Sequence, residues 1–317
     1  MDATARIETR SSEGFAQEFQ RFWNTLPDKA VFGVLLAGWI LLFQFLGCTP
    51  TWLSPTGSLF KWMYVKWDDP SYDASHGKLI PWVVLALLWA RRERLARSVA
   101  GVWWPGLLAL AFALAVHIAG FVVQQPRLSM VALFFGVWVL VGLVWGRETL
   151  KASFFPFFVF AFCMPMGGTF AQGLTLPLRL FAAKVTAFIS TQLLDISVIR
   201  NGTVLLDPSG RWHYEVAAKC SGIRSFLALL AITTIFSVLT MKRLWKRAIL
   251  IALTLPLALV CNVMRLTTII LAANAFKSQA AGSFVDDWFG YVTYGVAMAC
   301  VLLAGRWLGD KPPAVPP

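Results

Sequence analysis

The sequence predicts an all-α polytopic membrane protein of about eight transmembrane helices, and its composition, apolar runs and charge placement predict it together. Of 317 residues, 58% are hydrophobic and only 14% charged, against about 45–50% and about 25% in a typical soluble domain. A mean hydropathy of +0.66 is more apolar surface than one aqueous core can hide, and the same figures exclude a disordered chain. Apolar runs near the ~20 residues that cross a hydrocarbon layer recur along the chain. The net charge of +12 is concentrated in short clusters at the ends of alternate runs. In a membrane protein such an excess reports topology, so no nucleic-acid partner is expected. Fifteen Trp and 25 Phe suit interfacial belts and lipid-facing helices.

The elements follow in order. Residues 1–29 are polar and of mixed charge, with Arg6, Glu8, Arg10, Glu13, Glu18, Arg21, Asp28 and Lys29; this is too long and too acidic for a signal-peptide n-region and is read as a cytoplasmic tail. The first span is 30–48. A loop, 49–78, carries Trp52, Trp62, Trp67, Asp68, Asp69 and Asp73. The second span, 79–90, starts near His76 and runs into Arg91, Arg92, Glu93, Arg94 and Arg97. Spans at 102–123, 128–145 and 154–166 follow. Within the mixed stretch 169–219, residues 176–196 have apolar positions at helical spacing with Arg179, Lys184, Thr191 and Gln192 interleaved, which suits an amphipathic helix in the outer interface. Residues 203–216 alternate around Pro208-Ser209-Gly210 and predict a small β-hairpin. Spans at 222–240, 248–276 and 289–308 complete the set, and 309–317 is a Pro-rich cytoplasmic tail. The basic clusters at 91–97, 147–151 and 242–247 follow the second, fourth and sixth spans. They share a side only if both termini share it, and by the positive-inside rule that side is the cytoplasm. Loops 49–78, 124–127, 169–221 and 277–288 then face outside.

Polar groups inside apolar runs are functional candidates. Arg265 lies 18 residues into the seventh span, about 27 Å from its cytoplasmic end at ~1.5 Å per residue. That puts it just inside the outer leaflet, where an unpaired arginine costs about 2–3 kcal/mol; a snorkelling interfacial Arg is the plain alternative. Asn262 shares its face by i, i+3 geometry. Of five cysteines, Cys48, Cys163, Cys261 and Cys300 lie in or at the ends of apolar runs, where Cys acts as a small hydrophobe. Cys220 opens a helix at the outer mouth of the sixth span beside Lys219 and Arg224, a setting that favours the nucleophilic thiolate; an incidental Cys at a helix start is the alternative. Asp286 and Asp287 stand at the outer start of the eighth span, where aspartates also serve as ordinary caps. A nucleophile, a cation and an acid–base candidate thus fall at one depth from three consecutive spans, as an acyl-transfer site requires. No Cys-x-x-Cys pair or Cys/His ligand spacing occurs, so neither a metal nor another cofactor is expected. Among the three histidines, His117 reads as packed in the third span, and His213 as a strand residue facing the same way as Arg211 and Glu215.

At these residues the chain resembles the exosortase/archaeosortase family of integral-membrane cysteine transpeptidases. The family's Cys-Ser-Gly is matched by Cys220-Ser221-Gly222, its Asn-x-x-Arg by Asn262-Val263-Met264-Arg265, and its upstream Ser-His-Gly motif by Ser75-His76-Gly77-Lys78-Leu79-Ile80-Pro81. The resemblance covers about residues 30–308, taken as one transmembrane domain. It departs at one place. Where the family usually carries a catalytic His, Asp286-Asp287-Trp288-Phe289-Gly290 has Asp286. An aspartate, with an ordinary pKa near 3.9 against ~6.5 for His, accepts a proton at neutral pH only if burial raises it; otherwise it pairs with Arg265 and orients it.

The resemblance implies a multi-pass protein of the cell (inner) membrane with its site facing outside. Its substrates are secreted proteins bearing a C-terminal sorting tail of signature motif, transmembrane helix and basic cluster. Cys220 cleaves beside the motif, Arg265 stabilises charge, Asp286 manages protons, and an acceptor or water resolves the acyl-enzyme. His76, His213, Asn262, Ser221, Gly222 and Asp287 are supporting candidates, and membrane lipid surrounds the whole. Competing readings are a non-catalytic sorting receptor of the same fold, a membrane transporter using Arg265, Asp286 and Asn262 as a charged relay, and an intramembrane protease. A relay predicts polar groups at several depths, and the cytoplasmic halves of the spans hold few.

Overall fold

A computed structural model describes residues 14–50, 56–69, 72, 74–165, 169–215 and 223–309. Among the described residues the chain is mostly helical with one small sheet. Its helices are α1 (Phe15–Thr25), α2 (Lys29–Phe45), α3 (Leu59–Asp68), α4 (Ile80–Ala90), α5 (Arg92–Arg97), α6 (Gly106–Val122), α7 (Pro126–Trp145), α8 (Arg147–Phe158), α9 (Thr169–Gln192), α10 (Ile223–Thr240), α11 (Leu244–Ala275) and α12 (Gln279–Leu308), with strands β1 (Ile199–Asn201), β2 (Val204–Leu206) and β3 (His213–Glu215) between α9 and α10. The chain divides into two compact units, Met1–Asp68 with His76–Pro165, and Asp69–Ser75 with Met166–Pro317.

Among the described residues three helices, Pro126–Trp145, Leu244–Ala275 and the Gly282–Leu308 part of α12, are long and apolar enough to cross a membrane. They become four if the bent pair α1–α2, turned by 97°, counts as one span. The expected runs at 79–90, 102–123 and 222–240 fold as the shorter apolar helices Ile80–Ala90, Gly106–Val122 and Phe226–Thr240. The run expected at 154–166 differs most. Its helix starts earlier, at Arg147, holds Pro156 internally and passes into a 3₁₀ segment, Val159–Cys163. Arg147 and Lys151 therefore stand in a helix and not in a loop.

In the first unit, α7 is the most buried helix. Trp39 Nε1 donates to Leu133 O at 3.1 Å, joining α2 to α7, and His117 is buried against Ser129 Oγ at 3.0 Å, packed as expected. The tail before the first span is not featureless. Phe15, Phe19, Phe22 and Trp23 fall on one helical face and their rings meet Trp89 or one another, while Arg92 bridges Glu18 at 2.9 Å.

In the second unit, α11 packs along α10 and α12, and α9 along α11. The buried row of α9 is small, with Ala182, Ala183, Thr186 and Ser190, and Lys184, Phe181 and Phe188 are exposed on other faces. Short side chains let two helix backbones approach closely. The sheet is antiparallel in the order β1-β2-β3. Its β2–β3 half is the expected hairpin, with Leu206 opposite His213. The added strand β1 pairs Asn201 with Val204, leaving a two-residue connection whose first member, Gly202, has φ +61°, as a type II′ turn demands. Trp212, 1% exposed, and Leu205 tie the sheet to Ile196, Leu266, Ile269 and Ile270 in one core.

Candidate functional site

The long helix α11 ends in a Schellman motif. Ser278 N–H bonds Ala273 O and Lys277 N–H bonds Asn274 O, with Lys277 left-handed at φ +47°. This tight exit lets α12 start at once, at Gln279 with Ser278 as its N-cap, ten residues before the expected span at 289. Asp286 therefore lies well inside a helix. The cap alternative falls for that reason, and its carboxylate is turned to the neighbouring helix.

There it meets Arg265. Arg265 Nε donates to Asp286 Oδ1 at 2.7 Å, Nη2 stands 2.7 Å from the same oxygen, and Nη2 reaches the Asp286 backbone carbonyl at 3.4 Å. The side chains keep 16% and 25% of their exposure. The pair removes the cost of a lone arginine in an apolar helix. Gly290, one turn beyond Asp286, makes room for it: a Cβ there would lie 3.3 Å from Arg265 Cζ, tighter than ordinary packing.

The sheet closes on the same helix end. Tyr214 on β3 donates its hydroxyl hydrogen bond to Gln279 O. Burial pushes the Tyr214 phenol up, a hydrogen bond with Ser283 opposes this, and the Asp286 charge raises it further. His213, beside it in sequence, projects to the other side of the strand and is exposed. In the preceding turn Asp207 takes hydrogen bonds from Ser209 Oγ, Arg211 Nε and Arg211 N–H. Arg211 and then Ser209 hold its carboxyl well below the usual carboxylate range.

Asn262, one turn before Arg265, is 6% exposed, and neither its Oδ1 nor its Nδ2 has a hydrogen-bond partner among the described residues. It lines a cavity of about 20 Å³ with Cys261, Arg265, Thr293 and Tyr294. Of the remaining sequence candidates, Cys220, Ser221 and Gly222 lie outside the described residues, as does the side chain of Asp287. His76 belongs to the first unit, in a 3₁₀ turn, with Nε2 2.9 Å from Phe162 O. Cys48, Cys163 and Cys261 are buried and Cys300 is exposed. Among the described residues no three His, Cys, Asp or Glu side chains gather as metal ligands.

Gly290 and Tyr214 were not singled out from sequence. Gly290 was visible as the last residue of the Asp286-Asp287-Trp288-Phe289-Gly290 stretch, four residues from Asp286, but only the partner helix shows why it is glycine. Chemically the arrangement holds one cation rigidly at a known place, with an amide of open valence beside it.

No curated protein and no solved structure matches the chain. The Transmembrane exosortase family profile matches residues 67–303, well over half of the sequence and including Arg265, Asp286 and Asn262. With apolar helices of membrane-crossing length, an Asn-x-x-Arg turn and its paired acid all inside that span, the chain belongs to the transmembrane exosortase family of membrane transpeptidases.

Proposed function

We propose that the protein is a membrane cysteine transpeptidase acting at the outer face. Cys220 thiolate attacks the carbonyl carbon of a peptide bond in a C-terminal sorting tail. The tetrahedral adduct collapses to a thioester as its C–N bond breaks, the departing nitrogen taking a proton from water at the outer interface to leave as the tail's amine. An acceptor amine or water then attacks the thioester and releases the Cys220 thiolate. The observation that carries this reading is the Arg265–Asp286 pair. It fixes a guanidinium across two adjacent helices, 2.7 Å from its carboxylate. Preorganised cations of this kind stabilise a developing oxyanion without reorganisation. Asp286 acts in this scheme by orienting Arg265.

The membrane arrangement proposed with it has eight crossings, both termini cytoplasmic and the site outside. Phe284, Trp288 and Tyr291, all exposed around Asp286, support an interfacial depth, since aromatic side chains collect at that level. The basic residues near Lys242 and Arg247 at the other end of α10 and α11 support the orientation. A topology probe placing residues 210–220 in the cytoplasm overturns it.

A receptor without catalysis is the second reading, favoured by the acid at a position where the family usually carries His. Co-expression with a tail-bearing protein from the same source separates the two. Under the transpeptidase reading the wild type shifts the substrate mass and Cys220→Ala does not. An identical mass pattern in both excludes catalysis by Cys220.

A further inference from the structure

Asn262 is buried on α11, yet both polar atoms of its amide lack partners among the described residues. Buried polar groups are paired in nearly all cases, and an unpaired one is retained at the expense of stability. The cavity it faces, about 20 Å³, has room for about one oxygen-sized group. The groups around it sort cleanly. Thr293 Oγ1 is committed to its own helix, donating to Phe289 O at 2.9 Å or Gly290 O at 3.1 Å. Arg265 spends Nε and Nη2 on Asp286. Among the described residues lining the space, the buried polar atoms without a partner are those of the Asn262 carboxamide; the Arg265 guanidinium, the Tyr294 hydroxyl and the Cys261 thiol border it as well.

A carboxamide offers one acceptor oxygen and two N–H donors. Its complement is another amide, one C=O and one N–H presented together. A carboxylate matches only the donors, and an ammonium only the acceptor. We infer that Asn262 is a substrate-binding residue that takes the carbonyl oxygen of a substrate peptide group into the one-atom cavity beside Arg265, with the rest of that group at its mouth. This rests on the proposed peptide chemistry and deepens it: the enzyme recognises main chain next to the bond it breaks, independently of side-chain identity. Such a site rejects a ligand lacking the amide more strongly than an apolar pocket rejects a missing methylene, because the polar atoms then stay unpaired.

The test uses the full-length protein in detergent and a reporter protein fused to a C-terminal tail of the tripartite form. Asn262→Leu, of similar volume, removes the open valences. The expected result is a melting temperature equal to or above wild type, because nothing bonded is lost, with KM for the reporter raised about 10- to 100-fold, the loss of one or two hydrogen bonds, and kcat little changed. Asn262→Ala accompanies it: it loses packing and lowers the melting temperature, but shows the same KM. A lowered melting temperature in Asn262→Leu as large as that in Asn262→Ala overturns the inference, because the amide is then a structural group bonded to a trapped water. An unchanged KM overturns it as well. If Cys220→Ala processes the reporter as fast as wild type, the transpeptidase reading fails, and the melting temperatures of the two Asn262 variants still decide whether the amide is unsatisfied.

Discussion

Removing Asp286 tests whether the Arg265–Asp286 pair is an energetic unit. At 2.7 Å, an effective dielectric near 20 gives about 6 kcal/mol of attraction. Desolvating two ions costs several kcal/mol each at full burial, so most of this is offset, and the 16% and 25% exposure left to the side chains weakens both opposing quantities together. The net coupling expected is about 1–3 kcal/mol, the range for contacting groups. Asp286→Ala leaves the guanidinium in an apolar helix and is expected to cost about 2–3 kcal/mol, under the ~3–5 of a fully buried pair. Arg265→Met costs less, because its partner lies closer to the helix start and to water. The double variant restores part of the loss. Unfolding of all four proteins in mixed micelles closes the cycle, and a coupling below about 0.5 kcal/mol, the additivity limit, refutes the pairing argument. The same proteins assayed on a reporter separate orientation from proton transfer. If Asp286 orients Arg265, Asp286→Asn, which keeps an acceptor for Nε, lowers turnover and leaves the shape of the pH–rate profile unchanged. Loss of one limb of that profile assigns a proton-transfer role to Asp286.

Gly290→Ala is expected to keep or raise stability, since Ala exceeds Gly in helix propensity by about 1 kcal/mol. It pushes the guanidinium by a few tenths of an ångström and lowers turnover several-fold; wild-type turnover refutes the contact. Trp212→Ala empties the centre of the second unit's core and is expected to cost about 3–5 kcal/mol, measured by the unfolding midpoint. Asp207 has a depressed folded-state pKa, so its contribution is present above the unfolded value near 4 and is lost as pH falls through the folded one. Hydrogen-exchange protection over residues 199–215, taken relative to the intrinsic rate at each pH, is expected to fall in acid in the wild type and to be low at every pH in Asp207→Asn. A variant with wild-type protection at neutral pH removes the Asp207–Arg211 pair from the account.

What the sequence disclosed followed physical range. Apolar runs near 20 residues and the basic residues behind them are local signals, and α7, α10 and α11 fall where those runs predict. The hairpin is legible from Pro208-Ser209-Gly210, whereas β1 is signalled only by Gly202-Thr203, a short Gly-X pair of the kind a type II′ turn uses. Helix α1 was hidden because averaging a charged tail obscures four aromatics that meet only on a helical face. The start of α12 was misplaced by ten residues because Gln279, Ser283, Asp286 and Asp287 depress the mean hydropathy of a segment that a Schellman turn and the sheet nevertheless hold helical. The Arg265–Asp286 contact was one of three roles left open by sequence, since choosing among them requires the direction of a side chain across two helices.

That direction changes what the acid at residue 286 means. A histidine there would offer a single acceptor nitrogen and carry its own positive charge when protonated. A carboxylate gives Arg265 an acceptor for two of its N–H groups and cancels a charge that the membrane penalises. A histidine would thus be suited to shuttling protons near neutrality, whereas the carboxylate of Asp286 is suited to holding a cation still. A chain that spends so few charges in its helices places two of them against each other, with Gly290 shaped to the guanidinium and Tyr214 fixing the start of the helix. On this reasoning Asp286→His disrupts the site it resembles. It is expected to lower stability, by putting two cations together at acidic pH, and to lower turnover unless Arg265 finds another carboxylate.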